Sequence, residues 1–396
     1  MNTTPCLSWP GPDLLPADAA WMARSDLQQT RMLGYQEVTL DSVTGLGLGL
    51  MGRQPAVRHV ATVSDAILEL MALAGHRIDE ETLRYESFEE AHAHARNLIR
   101  RGYRLCSPWP MPAGAYRDED LVVPLPLWRR LNGKAHLHEL VAPEHLSPRQ
   151  VLGLEAARQH RWCEPLWLKV ANEEATGFGY AVRYCETPTA YQAALSELHR
   201  LSGAPSYLLE THVSVVRSWC AAFSVADDGT TYLGCAEQLF EHPGRQSGSL
   251  IDMARMPTGD ATALVVSIGE KARAMGYRGL AGCDLGQAED GRLVVFDPNF
   301  RMNASTPQVV FHSLLARSGQ PVVSRSVNIR TPQPFAELAL RLREWIGAGR
   351  FVPTRLLDAA LLPAAQGRSF VTGFVVGPGD SSVDSLATAF TSVCAA

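Results

Sequence analysis

A chain of 396 residues is longer than one hydrophobic core usually serves, so two to four packed lobes are expected. Apolar residues at 46%, charged residues at 19% and a formal net charge of -5 are the balance of an ordinary globular protein, and they provide no basic field for nucleic acid. The eight cysteines are scattered without a C-x-x-C pair, and no apolar run nears the roughly 18 residues a membrane span needs, so a cytoplasmic protein with reduced thiols is expected.

To about residue 120, short apolar strands alternate with helices. Ser64 can cap a helix through DAILELMALAG, Ser87 and Glu90 form a capping box ahead of AHAHARNLIRRG, and Gly75 and Gly102 supply the stops. Gly47, Gly49 and Gly52 fit G-x-G-x-x-G after a strand-like YQEVTL, the fingerprint of a nicotinamide-dependent oxidoreductase. Pro55 follows where a helix should open, and no acidic residue ends a second strand about 20 residues on, so a Gly-rich turn is the simpler reading. The Pro-rich CSPWPMPAGAYRDEDLVVPLPLW then closes the unit.

Further on come a helix at KAHLHELV, a strand at LWLKVAN, a Gly-containing loop at TGFGYAV, a helix capped by Thr187 and a strand at YLLETHV. WCAAFSVADDGTTYLGCAEQLF reads as a hairpin around Asp-Asp-Gly, and EHPGRQSGSLIDMARM, with His242, Arg245 and Arg255, as a lid on the substrate side or equally as a plain surface loop. After the helix ATALVVSIGEKARAMG, a second hairpin joins GLAGCDLGQ to RLVVFDPNF. The last stretch opens with the helical FAELALRLREWIG and ends Gly- and Ser-rich. The whole is α+β or α/β and multi-lobed.

The second hairpin carries Asp284 on one strand and Asp297 with Asn299 on the other, and side chains two apart share a face. Two Asp and one Asn beside a triphosphate suit magnesium; Asp-Pro-Asn at a strand end also fits an ordinary turn. Lys134 after Leu131-Asn132-Gly133, and Lys169 leaving an apolar strand before Gly177 and Gly179, both fit phosphate contacts, and both also fit snorkelling lysines.

In order and content, residues from about 130 to 310 resemble the ATP-grasp superfamily of carboxylate–amine and carboxylate–thiol ligases. LNGK is similar to the family's N-x-K helix start, LWLKV and TGFG to its second-lysine strand and mobile glycine loop, SYLLETHV to its hinge strand, and CDLGQAEDGRLVVFDPNFR to its metal hairpin. The resemblance implies ATP held by Lys134, Lys169, Gly177 and Gly179, with adenine at Leu208, Leu209, Glu210 and Val213. It implies Mg2+ on Asp284, Asp297 and Asn299, and Arg301 and Asn303 against the transferred phosphate or the substrate. Asp297 stands where Glu is more usual, and Arg217 or a neighbour where a ribose-binding Glu is common.

The implied reaction activates a carboxylate, an amino acid's by expectation, as an acyl phosphate that an amine captures to form an amide, with ADP and phosphate released. Three alternatives stay open: loading of an amino acid onto a carrier-protein thiol, a NAD-dependent oxidoreductase, and a non-catalytic nucleotide-binding regulator. The expected partners are small-molecule carboxylate and amine substrates, with a carrier protein and a homodimer left open and neither nucleic acid nor membrane. The expected domains are an amino-terminal α/β (pre-ATP-grasp) unit at 1–125, ATP-grasp subdomains at 126–206 and 207–325, and a small accessory region at 326–396.

Overall fold

The computed structural model describes residues 6–9, 14–171, 174–176, 179–317 and 322–395. Its amino-terminal unit is a parallel sheet of β1 (Ala19–Met22), β2 (Ala56–His59), β3 (Thr82–Tyr85) and β4 (Arg104–Cys106), in the order β3-β2-β1-β4. Both central strands are buried at every residue, as a parallel sheet covered on two faces requires. Helices Asp65–Leu73 and Phe88–Arg100 form where the caps predict. Ser87 Oγ accepts from the Glu90 N–H at 3.2 Å, but the Glu90 carboxylate reaches the Glu86 N–H at 2.8 Å instead of closing the box on Ser87. Ser64 stands at its N-cap position without a hydrogen bond from its hydroxyl.

The strand expected at YQEVTL is instead the helix Glu37–Ser42. Gly47, Gly49 and Gly52 follow it with φ of 72°, 84° and 61°, in a turn that opens no helix. The oxidoreductase fingerprint therefore lacks both its strand and its helix.

The second sheet is antiparallel, with β5 (Arg149–Gly153), β6 (Leu166–Val170), β7 (Val182–Cys185) and β8 (Ser206–Thr211) in the order β5-β8-β6-β7. Helix Pro188–Ser202 starts on Thr187, whose Oγ1 accepts from the Ala190 N–H at 3.1 Å. Its stripe Tyr191, Leu195 and Leu198 packs with Leu166, Leu168 and Leu209. Side chains alternate along a strand, so Trp167, Lys169, Leu208 and Glu210 share the opposite face.

The third sheet is antiparallel throughout, with β9 (Val215–Val225), β10 (Thr230–His242), β11 (Arg245–Ile251), β12 (Gly279–Ala288), β13 (Leu293–Asn299), β14 (Val323–Thr331), β15 (Phe351–Leu357) and β16 (Ser369–Gly377). Its order is β13-β12-β9-β10-β11-β14-β16-β15. Both expected hairpins are present, as β9–β10 and β12–β13.

Two expectations are corrected here. The segment taken for a lid is β11, paired between β10 and β14, followed by the 3-10 turn Met253–Arg255. The region 326–396 is no separate accessory unit: the boundary drawn at 325 falls inside β14, which with β16 and β15 extends the same sheet. The alternation in β14, with Val327 and Ile329 buried and Asn328 and Arg330 exposed, gives one apolar face to cover. Helix Asp380–Ala395, read from sequence as Gly- and Ser-rich, packs against β14 and β16. Helix Phe335–Gly347 joins this end to the amino-terminal unit, where Leu338, Leu342 and Phe351 share a core with Ile67, Leu70 and Met71.

Candidate functional site

The register of β12 against β13 sets Asp284 directly across from Asp297, and Gly282 across from Asn299, so the two carboxylates and the amide occupy one face of the hairpin. Burial, and then the neighbouring Asp297, push the Asp284 carboxyl up to about 6. Asp297 Oδ2 is bonded to Lys134 Nζ, while its Oδ1 is buried with no hydrogen-bond partner among the described residues. Two acidic groups facing each other, one with an orphaned oxygen, are the donor set a hard divalent cation neutralises. Among the described residues no group of three or more His, Cys, Asp or Glu could hold a metal, so an ion here would take ligands beyond the two carboxylates from the Asn299 amide, phosphate and water.

Lys134 starts a 3-10 turn directly after helix Leu125–Asn132 and Gly133. Only 6% exposed, its ammonium is pushed down chiefly by burial, which the Asp297 charge opposes. Lys169 reaches from β6 and donates to Glu210 Oε1 at 2.7 Å and to the Phe296 carbonyl at 3.2 Å, tying the second sheet to the β12–β13 hairpin. Glu210 Oε2 accepts from Arg149, whose other nitrogen donates to the Lys134 carbonyl at 3.4 Å. Lys134, Lys169, Asp297 and Glu210 thus form one connected charge network at the junction of two sheets.

The adenine contacts expected at Leu208, Leu209 and Glu210 are not all offered. Strand β8 is paired on both sides, with β5 and β6, so the backbone of these three residues is spent in the sheet. The Leu209 side chain lies in the core of the second sheet, and both oxygens of Glu210 are committed to cations. Val213 lies past the end of β8, with its backbone outside the ladder, and Leu208 shares the face of Lys169.

Gly177 lies outside the described residues. Gly179 has φ of 71°, and a Cβ there would stand 2.2 Å from the carbonyl oxygen of Gly244, at the tip of the β10–β11 hairpin. That hairpin therefore closes on the glycine loop, an approach only glycine permits. Arg245, expected to face substrate, pairs on the surface with Glu241; Arg255 is bonded to Glu237 and Asp380. Arg217 lies 3.9 Å from Glu237.

Arg301 is 8% exposed; its Nη1 donates to Asn132 Oδ1 at 2.8 Å, its Nη2 to the Thr176 carbonyl at 3.3 Å, and its guanidinium lies 4.9 Å over the Trp109 ring. Asn303 lays its amide over Gly282, the residue across from Asn299. Its Oδ1 accepts from Thr306 at 3.1 and 2.6 Å and its Nδ2 donates to Cys220 Sγ at 3.1 Å, so it braces the start of helix Thr306–Ala316.

Sequence reading did not assign Asn132, Arg149, Trp109 or Tyr35 to the site. Asn132 accepts from the Phe300 N–H at 3.0 Å as well as from Arg301 and donates to the Trp128 carbonyl at 3.0 Å, locking the lysine helix onto the DPNFR turn. It stands in the N-x-K element itself, and that was the available signal. Arg149, Trp109 and Tyr35 arrive from distant segments, where no motif marks them.

Residues 12–129 match the model of the L-aspartate–L-methionine ligase amino-terminal domain, and residues 147–299 the model of that ligase's ATP-grasp domain. Among solved structures, the chain is similar to N5-carboxyaminoimidazole ribonucleotide synthetase in complex with ADP, at a TM-score of 0.55 and 11% identity over 95% of this chain and 97% of that one. It is also similar to biotin carboxylase from Campylobacter jejuni, at 0.54 and 13% over 95% and 90%. A third is the N5-carboxyaminoimidazole synthetase of Staphylococcus aureus with ADP, at 0.52 and 10% over 98% and 100%. At such identities the solved structures show the fold, and the two family models carry the chemistry. No helix among the described residues is long and apolar enough to cross a membrane. The chain belongs to the ATP-grasp superfamily of carboxylate–amine ligases, of the amino-acid-ligase type, and joins a carboxylate to an amine with ATP converted to ADP.

Proposed function

We propose that the enzyme joins two amino acids into a dipeptide at the β12–β13 hairpin, with an acidic amino acid as the activated acid and an apolar one such as methionine as the amine. The substrate pair rests on the name of the matching family, L-aspartate–L-methionine ligase. The observation that carries the site is the cross-strand pair Asp284 and Asp297, with Lys134 bonded to Asp297 and one Asp297 oxygen buried and unpartnered.

Asp284, Asp297 and Asn299 would hold Mg2+, which supplies charge neutralisation and orientation of the triphosphate. Lys134 and Lys169 bring ammonium groups to the same edge, with Glu210 and Arg149 fixing where Lys169 points. Leu208 and Val213 fit the purine edge and Gly179, with the Gly244 hairpin tip behind it, the phosphate edge. Arg301, held by Asn132 and stacked on Trp109, orients the substrate carboxylate. One carboxylate oxygen attacks the γ-phosphorus and the bond to ADP breaks. The amine nitrogen then attacks the acyl carbon, phosphate leaves, and the nitrogen loses a proton. Asn303, bonded to Thr306 and Cys220, acts in this reading by holding the turn after Arg301, not on the phosphate.

The test is ADP release against amino acids offered singly and in pairs with magnesium. ADP should form only with a productive pair, and Asp297→Asn should lower the rate at least ~100-fold. Equal ADP release without an amine, or full activity of Asp297→Asn, would refute this reading.

A further inference from the structure

Arg355 of β15 differs from the buried arginines of the fold in being partly exposed. The three most buried arginines each have protein acceptors: Arg24 has Asp41 and Glu37, Arg58 has Glu80, and Arg301 has Asn132 and the Thr176 carbonyl. Arg355 has neither an ion pair nor a hydrogen bond among the described residues, and its Nε is sealed from solvent. Arg355 is partly exposed, so its Nη groups are open to an anion that the fold itself does not supply, while its Nε is closed off.

Its surroundings place it beside the chemistry. The aliphatic stem of Arg355 packs against Gly45, where a Cβ would sit 3.1 Å from Arg355 Cγ, and two residues on, a Cβ at Gly47 would sit 2.8 Å from the Met302 side chain. The glycine turn of the amino-terminal unit thus touches both Arg355 and the segment carrying Arg301. Tyr35 stands within electrostatic reach of both guanidiniums and meets Trp109 edge to face at 5.5 Å, the same ring that underlies Arg301. Burial pushes the Tyr35 hydroxyl upward, so the phenol keeps its proton. Arg301, Trp109 and Tyr35 thus follow one another in contact, and Arg355 lies against the same glycine turn that touches Met302, the residue after Arg301.

We propose that Arg355, with Tyr35 beside it, is the subsite for a substrate carboxylate that does not react, and so sets specificity for a charged amino acid. The proposal rests on the ligase reading above: joining two amino acids leaves at least one carboxylate untouched, on the amine-donating partner or on an acidic side chain. A planar guanidinium binds that group bidentately and rejects its neutral amide.

The experiment compares wild type with Arg355→Gln in amide formation, setting L-aspartate against L-asparagine as the acid and L-methionine against L-methioninamide as the amine. Arg355→Gln should raise KM about 10- to 100-fold for one carboxylate-bearing substrate, leaving its amide analogue and ATP within twofold; which pair responds identifies the source of the carboxylate. KM values unchanged for both pairs, or raised equally for acid and amide, would overturn the assignment. Should Arg355→Gln fail to fold, Arg355→Lys, which keeps the charge without the fork, and Tyr35→Phe carry the same comparison with smaller shifts. Should wild type join none of these pairs, calorimetric binding of L-aspartate, L-methionine and succinate reads the subsite without turnover. Loss of one of them in Arg355→Gln supports it, whereas equal binding by both proteins, or none by wild type, refutes it.

Discussion

With both carboxylate oxygens engaged, Glu210 neutralises Lys169 and Arg149 in a region 1% exposed at its own side chain. Glu210→Gln would leave two enclosed cations sharing one neutral amide, and a loss of about 3 kcal/mol of unfolding free energy in urea is expected, with a higher KM for ATP. Asn132→Ala removes an acceptor shared by the Phe300 N–H and Arg301; about 2 kcal/mol should be lost, and KM for the acid should rise more than KM for ATP. Equal effects on both would mean that Asn132 serves folding alone. At this scale the sequence was informative where a motif concentrates the chemistry. Asp284, Asp297, Asn299 and Lys134 meet on one hairpin edge, because strand parity and a single turn decide it. The contacts of Leu209 and Glu210 were not legible in the sequence, because pairing on both edges of β8 and two cations from other strands decide them.

Local signals placed most elements. Thr187 caps its helix as its position implies, and Thr187→Ala should cost about 1 kcal/mol in chemical denaturation while leaving turnover intact. Gly179→Ala is expected to act in the opposite manner. Its Cβ would collide with the Gly244 carbonyl, so the β10–β11 tip must move off the loop, and KM for ATP should rise several-fold with little change in global stability. An unchanged KM would show that the hairpin tip takes no part in closing the site. What the sequence did not reveal was β11 as a strand: EHPGRQSGSLIDMARM is polar and glycine-containing, and it becomes a strand because β10 and β14 offer edges on either side. YQEVTL misled in the other direction, its alternating pattern overridden by packing of Val38 and Leu40 from a short helix.

Across the whole molecule, the carboxy-terminal strands connect the catalytic sheet to the amino-terminal unit. The shared core of Leu338, Leu342 and Phe351 with Ile67, Leu70 and Met71, together with the β14–β11 pairing, makes this region part of the main fold. Sequence suggested an appendage because the β11–β14 pairing, across more than 70 residues, leaves no local trace. A chain ended after residue 325 should therefore aggregate or lose its near-ultraviolet dichroism, whereas an appendage would be dispensable. Arg355 meets the glycine turn of the amino-terminal unit only through this arrangement. The central claim, that a substrate carboxylate takes the γ-phosphoryl group at the hairpin of Asp284, Asp297 and Asn299, is tested most directly by isotope transfer. With the acid labelled by 18O in its reacting carboxylate, one labelled oxygen should appear in the released phosphate alongside ADP, and Asn299→Ala should suppress both; label recovered in AMP, or phosphate free of label during amide formation, would contradict the account.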